Sequence, residues 1–67
     1  MSAVDIQHQL HRLQAERALA TVEGLDANAA YVEDLDQEIW ATHHAYVGAA
    51  VAEIAALRAD LSGPLTG

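Results

Sequence analysis

The sequence predicts an all-α protein: an antiparallel two-helix hairpin, with a short first helix and a longer second helix, that assembles into an oligomeric helical bundle. Residues 1–67 form a single hairpin domain in this prediction. Proline and glycine, which interrupt helices, occur near residues 24 and 63, and between these points the one further glycine is Gly48. Apolar residues recur at helical spacing on both sides of residue 24. A chain of this length buries only about 60% of its surface on folding, and it has no cysteine for disulfides. Oligomerisation is therefore the expected source of further stability.

The first helix is predicted over residues 3–23. Ser2 and Asp5 have the S-x-x-D spacing of a capped helix start, where the serine oxygen accepts from a first-turn amide. One apolar stripe, interrupted by Arg17, consists of Ile6, Leu10, Leu13 and Ala20. A second apolar face carries Val4, Ala15, Leu19 and Val22.

The turn is predicted at residues 24–26, because Gly24 can adopt the left-handed conformation that ends a helix. Asp26 is expected to cap a second helix over residues 27–61, and residues 62–67 are expected to form a flexible tail. So short a turn makes the helices antiparallel, with position n of the first helix opposite about position 50 minus n. The last four or five turns of the second helix then have no partner within the chain.

The second helix has an apolar stripe and an opposite face of small residues. The stripe is Val32, Leu35, Ile39, His43, Val47, Ala50, Ile54, Leu57 and Leu61. The small face is Ala41, Ala45, Gly48, Ala49, Ala52, Ala56 and Ala59. Alanine favours helices anywhere, but such a face also lets two helices approach closely. We therefore expect a homodimer or higher oligomer whose interface contains Trp40, Tyr46, Val47, Ala49, Val51, Ala52, Ile54, Ala56, Leu57 and Leu61.

The formal charge of −7 is concentrated near the turn, since no basic residue lies between Ala18 and Leu57. Three arginines and no lysine argue against binding to nucleic acid or to an anionic membrane. The acidic end either keeps the chain soluble or docks a larger protein with a basic surface. The docking residues on the second hypothesis are Glu33, Asp34, Asp36 and Glu38.

Four histidines fall at one height of the predicted hairpin: His8, His11, His43 and His44. Imidazoles brought together in this way could bind Zn²⁺ or another transition metal. The alternatives are ordinary polar or interface histidines, and an interface that responds to mild acid. For any other cofactor the sequence offers no motif.

No catalytic signature accompanies these features. The chain has no cysteine nucleophile, its serines (Ser2 and Ser62) lie at the predicted helix ends, and Gly24 and Gly48 do not form a phosphate-binding loop. We therefore expect no enzymatic activity. The start MSAVDIQ has no signal-peptide pattern, and no apolar run approaches the ~18 residues needed to span a bilayer. The expected compartment is the cytoplasm.

In layout, the short acidic hairpin with its Leu25-Asp26-Ala27 turn resembles the Rop-type plasmid copy-number regulators. This resemblance implies a dimeric four-helix bundle. That family binds RNA, and because this chain has few basic residues, the resemblance is not taken to imply RNA binding.

The function that these features favour is that of a small self-associating interaction module, such as an adaptor or a regulatory subunit. The alternative is an acidic inhibitor, antitoxin-like or mimicking nucleic acid, that occupies the basic site of a partner. The third hypothesis is a helical bundle that binds metal through histidines.

Overall fold

The computed structural model describes residues 1–61, and over this range it is all-helical. Helix α1 spans Ala3–Val22, a short 3₁₀ turn spans Leu25–Ala27, and helix α2 spans Ala29–Leu61. The all-α class and the unequal helix lengths are confirmed. The predicted tail at residues 62–67 lies outside the described residues.

Helix α1 begins with a reciprocal cap between Ser2 and Asp5. The Ser2 hydroxyl oxygen accepts from the Asp5 backbone N–H at 3.2 Å, and the Asp5 carboxylate accepts from the Ser2 N–H at 3.3 Å. These bonds satisfy two of the amides that a helix start leaves unpaired. Hydrogen bonding to the Ser2 side chain, and then to its backbone, holds the pKa of the Asp5 carboxyl below its ordinary value of 3.8.

The turn differs from the prediction at its second half. Gly24 has the expected left-handed conformation, with φ 77°, and its N–H donates to the Thr21 carbonyl at 3.2 Å. Asp26 does not cap α2. Asn28 does, since its side-chain oxygen accepts from the Tyr31 N–H at 3.2 Å. The chain needs the extra 3₁₀ turn before Asn28 reaches the extended conformation of a cap, and α2 therefore begins at residue 29.

The seam between the helices forms the small core of the protein. On α1 the buried residues are Ala3, Ile6, Leu10, Leu13 and Ala20, which confirms the first predicted stripe. Between Leu35 and Ala49 of α2, the buried or partly buried positions follow a heptad pattern with spacings of four and three, the spacing of two helices packed side by side. These seam positions are Leu35, Ile39, Thr42, Tyr46 and Ala49. Tyr31 and Val32 before them and Ala50 after them are also partly buried.

The predicted stripe on α2 is therefore only partly correct. It shares Leu35 and Ile39 with the seam, and its Val32 and Ala50 are also partly buried, but His43 and Val47 are exposed. Between Leu35 and Val47 the predicted stripe has three successive spacings of four, whereas a heptad alternates four and three. From His43 onward the stripe therefore lies one residue ahead of the seam, and one residue is about 100° around a helix. Val47 and Ile54 thus turn away from α1, and of the stripe residues beyond Ile39 only Ala50 stays partly buried.

Three polar contacts fix the register of the hairpin. Arg17 Nε donates to Asp36 Oδ1 at 3.0 Å, and the Tyr31 hydroxyl donates to Glu16 at 3.1 Å. Partial burial, and then the hydrogen bond to Glu16, raise the pKa of Tyr31. At the open end, the Ala3 N–H donates to Glu53 Oε1 at 3.1 Å.

These contacts correct the predicted overlap of the helices. The first turn of α1 reaches the height of Glu53, so only residues 54–61 extend beyond it, about two turns or ~12 Å. The prediction of four or five free turns is wrong because it assumed a tighter connection. The longer turn through Asn28 shifts every pairing toward the end of α2.

We predict that acid destabilises the chain partly through Asp5. Its pKa is lowered in the folded state, so the cap contributes its full stabilisation above the unfolded value of 3.8 and loses it as the pH falls through the lowered folded value. Ser2→Ala should cost about 1 kcal/mol at neutral pH and make the acid loss smaller. Thermal unfolding followed by circular dichroism between about pH 6 and pH 2 measures both effects. An identical pH dependence in the two proteins would contradict this.

Candidate interaction surface

The side of α2 that faces away from α1 carries large exposed apolar side chains. Their exposed fractions are 65% for Trp40, 45% for Val47, 60% for Val51 and 54% for Ile54. Leu57 and Leu61, on the two turns beyond α1, are 58% and 73% exposed. We call these six residues the apolar face of α2. Together they leave on the order of 600 Å² exposed, the upper end of the ~300–600 Å² of the largest apolar patch on a typical monomer.

This surface is also nearly free of charge. Between Glu38 and Arg58, the only residue with a formal charge is Glu53. Its carboxylate accepts the hydrogen bond from Ala3, at the end of the seam. A solvent-facing helix surface usually carries Lys, Glu or Gln at most positions. Over about 30 Å of α2, the composition is therefore typical of a helix that packs against other helices on more than one side.

The small face of α2 is open as well. Except for Ala49, which is partly buried, all of its residues are exposed. A Cβ placed on Gly48 would meet no atom within 4 Å. Of the ten residues predicted at an interface, Tyr46 and Ala49 lie partly buried along the seam, and the other eight are exposed. Those eight are available to a second protein.

The acidic residues of the turn end separate onto different sides. Glu33 and Asp36 line one open groove together with Asp26, Val32 and Trp40. Asp36 also bonds to Arg17.

Glu38 lines a different depression, beside Arg12 and Glu16 of α1, and Asp34 lines neither of these two surfaces. The four predicted docking residues thus do not form one surface. The prediction also missed Asp26, which the sequence marks only weakly because it precedes the helix.

The histidines lie on outer surfaces of the hairpin, and all four are exposed. His8 and His11 line a shallow depression with Asp5 and Arg12 on α1. On α2 the His43 and His44 rings are 6.4 Å apart, and the His44 ring is 4.1 Å from that of Trp40.

Within residues 1–61, no group of three or more His, Asp or Glu side chains is placed to hold a metal ion. The inner side of α1 is taken by its apolar stripe, which keeps both of its imidazoles away from α2. A site built from all four histidines therefore needs a second chain, and it stays a prediction.

In comparison with known proteins, no family model, curated protein or solved structure matches the chain. Neither helix of residues 1–61 has the length and apolar character that crossing a membrane requires.

If histidines of two chains form a metal site, Zn²⁺ should raise the melting temperature only at concentrations at which the chain associates. Differential scanning calorimetry at two protein concentrations, with one equivalent of Zn²⁺, measures this. His11→Ala or His43→Ala should remove the rise. Without any rise in the wild-type protein, the metal hypothesis is wrong.

Proposed function

We propose that the chain is a non-enzymatic, self-associating helical module that acts as an adaptor or regulatory subunit. The observation that carries this proposal is the exposed apolar face of α2, on a stretch of helix whose one charge is already bonded to α1. Two copies that buried this face would cover about 1,200 Å², the lower end of the range for specific interfaces.

The weakness of the core supports the same conclusion. Among residues 1–61, six apolar residues are buried, and two of them are alanines. In the same part of the chain, no side chain is less than 2% exposed. A single pair of helices with so little buried surface is marginally stable, and association adds the missing burial. Folding and self-association are therefore coupled in this proposal.

A second candidate function is the docking of a basic partner at the turn end. The observation in its favour is the groove in which Asp26, Glu33 and Asp36 meet Trp40. Carboxylates beside an exposed indole ring suit a guanidinium group, which can pair with the acids and lie over the ring.

We predict that Val51→Glu weakens self-association about tenfold or more, by at least ~1.4 kcal/mol, because it places a charge inside the covered surface. Sedimentation equilibrium at micromolar concentration measures the effect. Val4→Glu is the matched control: it makes the same change at a 56% exposed valine on the outer side of α1. We expect it to leave association unchanged. A wild-type chain that is monomeric and stably folded would overturn the proposal.

For the second candidate, an arginine-rich peptide is the probe. Its binding, followed by fluorescence anisotropy, should weaken with salt and fall with the pair Asp26→Asn and Glu33→Gln. The control pair Asp34→Asn and Glu38→Gln removes the same charge outside the groove. Equal losses for both pairs would show that only net charge attracts the peptide, and would end this candidate.

A further inference from the structure

We propose that the partner of α2 is the α2 helix of a second copy, packed antiparallel, with Arg58 of each chain paired with Glu33 of the partner subunit. This inference rests on the proposed function and adds its partner, orientation and register. The surface involved is a second heptad stripe on α2, all of it exposed, which we call the outer stripe. It consists of Glu33, Gln37, Trp40, His44, Val47, Val51, Ile54 and Arg58.

The outer stripe lies opposite the seam around α2. Its positions follow one another at spacings of four and three, as the seam positions do, and they are offset from the seam by about half a turn. Two heptad stripes on one helix allow α2 to pack between two helices. The first stripe is already occupied by α1, and the outer stripe is free.

The outer stripe is symmetric under reversal. Its spacings read four, three, four, three, four, three, four in both directions. When α2 is laid antiparallel on itself with Glu33 opposite Arg58, every position of the stripe falls opposite another position of the stripe. Trp40 then meets the partner's Val51, and Val47 meets the partner's His44. This is the self-complementary contact that a two-fold dimer requires.

Charge selects this arrangement over a parallel one. The two ends of the outer stripe carry opposite charges, Glu33 and Arg58, and the six positions between them are uncharged when His44 is neutral. Antiparallel pairing joins each acid to a base. Parallel pairing would place Glu33 against Glu33 and Arg58 against Arg58. It would also bring together the two turn ends, where six of the ten acidic residues of each chain lie between Glu23 and Glu38.

Both charged groups are free to make this contact. Arg58 takes no part in an ion pair within residues 1–61, where Arg17 and Asp36 do form one. Glu33 lies in the groove with Trp40, so an incoming guanidinium would find an indole ring beside the carboxylate. The His44 ring already lies against this indole, with ring centres 4.1 Å apart and the planes tilted by 43°.

A charge swap tests the register. Arg58→Glu and Glu33→Arg should each weaken the dimer about tenfold, and the double variant should restore it. Rescue cannot arise within one chain, since 25 residues of helix separate the two positions by about 37 Å. Arg12→Glu makes the same charge change on α1 and should leave the dimer intact. Without rescue in the double variant, the Glu33–Arg58 pairing is wrong.

Disulfide trapping tests the orientation, because the natural chain has no cysteine. Gln37→Cys and Ile54→Cys chains, mixed in a glutathione buffer, should form the mixed disulfide in excess of the statistical share, since these positions oppose each other. Same-site disulfides at both positions would show a parallel dimer. In that case self-association would stand and the antiparallel inference would fall.

Gly48→Ala separates the two open faces of α2. It lies on the small face, so it should leave the antiparallel dimer intact while raising the helix stability of α2. Gly48→Ala could instead weaken the dimer, while the charge swap has no effect and no mixed disulfide forms. That result would show a dimer through the small face and overturn the inference. A wild-type chain that sediments as a monomer would overturn the proposed function itself.

Discussion

The register of α1 on α2 is the constraint on which the rest of the structure depends. A seam through Leu35, Thr42 and Ala49 lets the two helices lie side by side along nearly the whole of α1. The same choice directs Trp40, Val47, Val51 and Ile54 away from α1, because one helix cannot present two sides to one neighbour. The exposed apolar surface is thus a geometric result of the seam and not a surplus of apolar residues at random positions.

Local polar interactions hold that register in place. The caps at Ser2 and Asn28 and the left-handed Gly24 set where each helix begins or ends. Arg17 with Asp36 then fixes the turn end, and Ala3 with Glu53 fixes the open end. Exposed ion pairs contribute little to stability. Their value here is that a slip of the helices would break both contacts together.

The features that the sequence predicted well are those that depend on neighbouring residues. Ser2 with Asp5, the ending at Gly24 and the stripe of Ile6, Leu10 and Leu13 all follow from spacings of a few residues. The seam on α2 was predicted only as far as Ile39, because two apolar patterns overlap there and packing against α1 decides between them.

The cap at Asn28, the long overlap of the helices and the acidic groove were missed for a related reason. Each depends on the path of the turn, which inserts a 3₁₀ segment that no residue pattern announced. An error of two residues in the start of α2 then moved every expected contact across the hairpin. The side of α2 on which each acid lies is set separately, by the ~100° between successive residues of a helix, and this places Asp34 and Glu38 away from Glu33 and Asp36. Asp26, in the turn, lines the same groove as Glu33 and Asp36.

The hydrogen bond from Ala3 to Glu53 joins residues that are 50 positions apart in the chain. Loop closure costs more conformational entropy as the loop grows, so contacts near the turn form first and those at the open end form last. Among the contacts that fix the register, the bond from Ala3 to Glu53 therefore closes the longest loop and costs the most conformational entropy. The first turn of α1 is accordingly the part of the seam that we expect to open first when the hairpin is destabilised.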